Sequence, residues 1–96
     1  MRNIEYLDLS NNPLSTKRFK FKKNKSITHL VLNQNQLSQL PRSVKRLKVL
    51  EHIQINENNF TTIPGRLSRM ASLTEIGLSF NPINPDLKLS RPILKY

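Results

Sequence analysis

The sequence predicts an α/β solenoid: about four stacked units, a short parallel sheet on the concave face, and short α, 3-10 or irregular segments on the convex side. Three observations predict it. The first is a 23-residue ruler. Ile4, Ile27, Leu50 and Leu73 are spaced by it, and so are Asn12, Asn35, Asn58 and Asn81. The second is a short apolar alternation in every unit: Leu7 and Leu9, Leu30 and Leu32, Ile53 and Ile55, Ile76 and Leu78. That period of two is the mark of a strand with one buried face. The third is a proline followed by apolar residues three apart. Leu40-Pro41 leads to Val44, Leu47 and Leu50, and Ile63-Pro64 leads to Leu67, Met70 and Leu73.

Each element follows from these patterns. Strands are expected near Tyr6–Leu9, His29–Leu32, His52–Ile55 and Glu75–Leu78. A turn carrying the repeated asparagine follows each one. Buried turns leave backbone N–H and C=O groups in need of partners. An asparagine amide both donates and accepts, so one side chain can serve two neighbouring turns. Asn12, Asn35, Asn58 and Asn81 are therefore expected to form a structural ladder. The return segments begin at a proline suited to a first helical position, and short α or 3-10 turns bring the chain back to the next strand. The first unit departs from this scheme, with Lys17-Arg18 in place of the Leu-Pro pair and Asn24 at a core position. Its connection reads as extended or irregular, with Phe19 and Phe21 alternating with basic residues and Phe21 buried. In the fourth unit Asp86-Leu87 replaces Leu-Pro, and Pro82, Pro85 and Pro92 break regular structure. Leu87, Leu89, Ile93 and Leu94 are expected to fold over the last strand as a cap.

The chain of 96 residues suits one domain, 1–96, with units at about 4–26, 27–49, 50–72 and 73–96. The first strand starts close to Met1 and leaves Leu7 and Leu9 without a cap. A fragment, or a chain that self-associates through its uncapped ends, is the expectation. No cysteine occurs, which rules out disulfides and cysteine-based zinc sites and fits a cytoplasmic setting. No run is apolar and long enough to span a membrane as a helix, and the first residues have no apolar core of a signal peptide. The N-x-S/T triplets at Asn24 and Asn59 are read as chance. Net charge is +10, from 16 Lys plus Arg against 6 Asp plus Glu, a bias that points to anionic partners.

With Ile and Phe allowed at leucine positions, all four units match L-x-x-L-x-L-x-x-N-x-L. The longer form beginning L-P runs from Leu40-Pro41 to Phe60 and from Ile63-Pro64 to Ile83. These residues resemble the intracellular leucine-rich repeat family, and within it the Ras-suppressor and Ras-scaffold type, over roughly residues 4 to 83. The resemblance implies a scaffold that binds a protein on its concave face, within signalling assemblies, with a small GTPase among the partners it suggests. It also implies that such repeats occur in larger chains with kinase, phosphatase or cyclase domains, so a remnant of a larger signalling enzyme is a further reading. Fold alone does not name the partner.

The ruler predicts which side chains stand in columns on the strand face. They are Tyr6, His29, His52, Glu75; then Asp8, Val31, Gln54, Gly77; then Ser10, Asn33, Asn56, Ser79; and at the turn Asn11, Gln34, Glu57, Phe80. Candidate partner-binding residues are Tyr6, Asp8, His29, Val31, Asn33, His52, Gln54, Asn56, Glu57, Glu75 and Phe80, with Tyr6, His29, His52 and Phe80 as anchors. His29 and His52 beside Glu75 raise the thought of zinc, but strand spacing alone does not set ligand angles, and no metal or other cofactor is expected. On the convex side Lys22, Lys23, Lys25, Lys45, Arg46, Lys48 and Arg69 repeat on the same ruler and form a candidate anion-binding ridge for acidic lipid or nucleic acid. The plainer reading of that ridge is a solvated face. No phosphate loop, nucleophile elbow or metalloprotease motif occurs, so no enzyme is expected.

Overall fold

The computed structural model describes residues 5–11, 21, 26–83 and, for backbone only, 94–95. Four strands fall on the ruler: β1 (Tyr6–Asp8), β2 (His29–Val31), β3 (His52–Gln54) and β4 (Glu75–Gly77). A fifth, β5 (Leu94–Lys95), joins the sheet beyond β4. All pair in parallel, in the order β1-β2-β3-β4-β5. Register follows the repeat: Leu7 faces Leu30, Leu30 faces Ile53, and Ile53 faces Ile76. β5 sets Leu94 opposite Glu75 and Lys95 opposite Ile76. Part of the expected cap is therefore an added strand that pairs the edge of β4, while Leu87, Leu89 and Ile93 lie outside the described residues.

Each strand is one residue shorter than the alternation suggests, and the reason is visible in the hydrogen bonds. The N–H of Leu9, Leu32 and Ile55 still donates across the sheet, to Val31, Gln54 and Gly77. The carbonyls of the same three residues instead accept the amide of an asparagine side chain from the next unit. Side chains replace the backbone bond at that point, which ends the strand, and a backbone bond resumes beyond it, from the N–H of Asn11, Gln34 and Glu57 to the carbonyls of Asn33, Asn56 and Ser79.

The core is a single stack. Leu30, Leu32, Ile53, Ile55 and Ile76 supply its sheet side, and Val44, Leu47, Leu50, Leu67 and Leu73 close it from the return segments. Each side chain sealed in this way contributes on the order of 1.5–3 kcal/mol. Phe60, 1% exposed, fills the last leucine position of its unit. Leu7 and Leu9 are only partly buried against this cluster. Phe21 is buried as expected, its N–H donating to Ser43 Oγ at 2.7 Å.

The return segments are a 3-10 turn, Arg42–Arg46, and a one-turn helix, α1 (Gly65–Ser68). Pro41 and Pro64 sit one residue earlier than expected, at the N-cap, with φ of −57° and −55° and extended ψ. Their ring-fixed φ suits that approach, and each carbonyl accepts the first turn's N–H, from Val44 at 3.1 Å and Leu67 at 3.0 Å.

Candidate functional site: the strand face

The first column of the strand face is a stack. The rings of Tyr6 and His29 lie 5.9 Å apart at 23°, and those of His29 and His52 lie 4.3 Å apart at 21°. His52 Nδ1 then meets Glu75 Oε1 at 3.2 Å. His29 Nδ1 is 2.9 Å from Thr28 Oγ1. Ring nitrogens offer lone pairs in the ring plane, so near-parallel stacked rings do not converge on one metal ion. Among the described residues no cluster of three or more metal-ligating side chains occurs.

The second column differs from expectation at one position. Val31 is 4% exposed. Its short side chain stands in register between the longer Asp8 and Gln54. Gln54 Oε1 also accepts from Asn33 Nδ2 at 3.2 Å, which draws that side chain across the column. Val31 is therefore withdrawn from the candidate contact set. Asp8 stays exposed, and the hydroxyl and backbone N–H of Ser10 hold its carboxyl below the ordinary aspartate value.

The third column is a second hydrogen-bonded ladder. Ser10 Oγ accepts the N–H of Asn33, Asn33 Oδ1 accepts that of Asn56, and Asn56 Oδ1 accepts that of Ser79, at 3.1, 2.9 and 2.8 Å. Asn33 and Asn56 therefore keep only part of their polar capacity for a partner. Their half-buried amides join the units on the face where contact was expected.

The inner ladder runs parallel to it. Asn58 Nδ2 donates to the carbonyls of Leu32, Ile55 and Asn56, and its Oδ1 accepts from Asn35 and Leu37. Asn81 repeats the pattern, reaching Ile55 and Leu78 and accepting from Phe60. Asn35 Nδ2 reaches Leu9. Asn12 lies outside the described residues.

The fourth column carries the most exposed apolar group of the face. Asn11, Gln34, Glu57 and Phe80 all have positive φ, at 59°, 59°, 56° and 60°. Only glycine adopts this left-handed region freely, asparagine tolerates it, and a bulky side chain there is an outlier. Gln34 Nε2 donates to Glu57 Oε2 at 2.8 Å. Phe80 stands at the end of the column, 83% exposed, and Tyr6 in the first column is 60% exposed. These two are the exposed large hydrophobics among the described residues. His29 and His52 are half-buried within their stack.

On the convex side the side chains divide differently from the ruler. Arg46 turns to the first unit, donating from Nη1 to the Phe21 carbonyl at 3.3 Å. Lys45, Lys48 and Arg69 instead line one cavity with Arg42 and Arg66, two residues that the spacing did not single out. Lys22, Lys23 and Lys25 lie outside the described residues.

The comparisons with known proteins agree with this geometry. A family model described as leucine rich repeat matches residues 26–83, and a second of the same description matches residues 3–21. No curated protein and no solved structure matches the chain.

Proposed function

We propose, from the premise that the chain belongs to the leucine-rich repeat family, that it is a binding module whose protein partner docks on the strand face, anchored by Phe80 and Tyr6. Domains of this family generally mediate protein–protein interaction and are typically not enzymes. The observation that carries the finer reading is Phe80. It is 83% exposed, so its ring adds little to the core, and it stands at a φ of 60° in the strained turn that Asn11, Gln34 and Glu57 share. The residues of this turn, Asn11, Gln34, Glu57 and Phe80, are all exposed, and Phe80 is the large apolar side chain among them. Tyr6 marks the opposite end of the face, and the His29–His52–Glu75 stack lies between as a flat polar surface. Aromatic anchors around polar contacts suit a protein partner. The partner class we favour is a small GTPase of a cytoplasmic signalling assembly, which the L-P form of the two central units supports by resemblance.

A photo-crosslinking amino acid placed at position 80, and separately at position 45 on the convex side, tests this. The expected result is a protein adduct at 80 and none at 45. With that protein purified, Phe80→Ala and Tyr6→Ala each weaken binding by about tenfold or more. Adducts formed only at 45, or affinity unchanged by both substitutions, would remove the strand face from the account. A crosslinked protein that binds no guanine nucleotide would remove the GTPase.

A further inference from the structure

The return segments of the second and third units carry no carboxylate. Residues 38–49 hold Arg42, Lys45, Arg46 and Lys48, and residues 61–72 hold Arg66 and Arg69. The described carboxylates, Glu5, Asp8, Glu51, Glu57 and Glu75, all lie in the strand and turn segments. Charge is thus divided between the two faces. The contact of His52 with Glu75 likewise belongs to the strand face.

Five of those six cations line one cavity of about 540 Å³ between the two return segments. Local geometry collects them. In a 3-10 turn, side chains three apart eclipse, so Arg42 and Lys45 point the same way. Lys48, three residues further, reaches the same space. Arg66 and Arg69, also three apart, face them from α1 and its C-cap. Arg66 is fixed in place by a bond from Nη1 to the Leu40 carbonyl of the preceding unit, at 3.2 Å. Ser72 Oγ bridges to the carbonyls of Lys48 and Leu50 at 3.1 and 2.7 Å, which holds the two segments together at the cavity. Gathering like charges around one hollow raises the energy of the free protein, and a bound polyanion relieves it.

We propose that this cavity is a binding site for a compact ligand bearing several phosphate groups, such as an inositol polyphosphate, free or as a lipid headgroup. The size falls within the range of small-ligand sites, about 300–1,000 Å³. Three arginines, Arg42, Arg66 and Arg69, supply forked donors and bidentate geometry for phosphate oxygens, and the lysines supply point charge. The apolar part of the lining is Leu47, Met70 and Ala71, with no aromatic ring among the described residues. A single-stranded nucleic acid uses aromatic rings for base stacking, so clustered phosphate without bases is the better match.

Calorimetric titration of the whole chain with inositol hexakisphosphate tests the site. Lys45→Ala combined with Lys48→Ala, and separately Arg69→Ala, are expected to weaken binding about tenfold or more, since each removes direct phosphate contacts. All three side chains are exposed, so the fold survives, which a thermal melt verifies. Arg46→Gln removes the same charge from outside the cavity and is expected to change affinity less than about twofold. Vesicles of phosphatidylcholine with phosphatidylinositol 4,5-bisphosphate identify the source. Binding to them as tight as to the free compound assigns a lipid headgroup, and binding to the free compound alone assigns a soluble ligand. Three results would overturn the site: an Arg46→Gln loss equal to that of Arg69→Ala, equal binding to phosphatidylserine vesicles of matched charge, or tighter binding to poly-uridylate than to the phosphate compound.

Discussion

Phe80→Asn is expected to stabilise the fold while removing binding. Phe80 occupies the left-handed region at a φ of 60°, where an L side chain other than asparagine costs about 1–2 kcal/mol. Asparagine, which tolerates that region, recovers roughly 1 kcal/mol of it. The loss on the other side is small. A fully buried Phe contributes about 1.5–3 kcal/mol, and at 83% exposure Phe80 has only about a sixth of that to give up. The net gain is about 0.5 kcal/mol, or roughly 2–4 °C in Tm for a chain of this size. Phe60 is the internal contrast: 1% exposed, it is expected to cost about 3–5 kcal/mol on truncation to alanine. Urea denaturation of the three proteins, with the slope checked for constancy, measures both differences. Affinity for the crosslinked partner is measured on the same samples. A Phe80→Asn protein less stable than wild type by about 1 kcal/mol or more would show that the ring is packed in the native state, and the argument from strain would fail.

Three other perturbations address separate parts of the structure. Asn58→Ala orphans two buried N–H donors, those of Asn35 and Leu37, and the carbonyls Asn58 served. At about 1–3 kcal/mol per unsatisfied group it is expected to cost 3 kcal/mol or more in a chemical melt, and a loss under about 1 kcal/mol would speak against the ladder. Gly77→Ala places a Cβ 3.2 Å from Asn56 Oδ1, an atom already committed to the N–H of Ser79. A destabilisation of about 1–3 kcal/mol is expected by the same assay, and an unchanged melt would show that the outer ladder yields freely. Asp8 is the pH-dependent group. Its folded value is lowered by Ser10, so its contribution is present above the unfolded value and is lost as pH falls through the folded one. Carboxyl NMR titration of Ser10→Ala is expected to show the Asp8 midpoint rising toward the ordinary value, and an unmoved midpoint would assign the shift elsewhere.

The register of the sheet was legible in the sequence because one ruler governs both strands and turns. A 23-residue step that sets Leu7, Leu30, Ile53 and Ile76 in line also sets His29 beside His52. The strand ends were less legible, because they depend on which carbonyl an asparagine captures, and that asparagine stands 26 residues further on, in the next unit. The outer ladder was hidden for a related reason. Ser10, Asn33, Asn56 and Ser79 are ordinary exposed polar residues until the units stack. The left-handed turn was masked by its occupants. Gln34, Glu57 and Phe80 are not the residues that such a φ selects, and only Asn11 carried the usual signal. Val31 was misplaced because alternation assigns a face and not an exposure. On the convex side the ruler found Arg69 but passed over Arg42 and Arg66. Arg42 aligns with Gly65 and Arg66 with Ser43, so neither forms a basic column, and the cavity arises from i,i+3 geometry within each turn.

The central claim is that a protein partner is held by the strand face. Amide hydrogen exchange of the chain with and without the crosslinked partner measures it directly. Slowed exchange in the strand and turn segments, residues 5–11, 28–34, 51–57 and 74–80, with residues 41–49 and 64–72 unchanged, is the predicted result. Protection confined to residues 41–49 and 64–72 would contradict the claim and move the partner to the basic side.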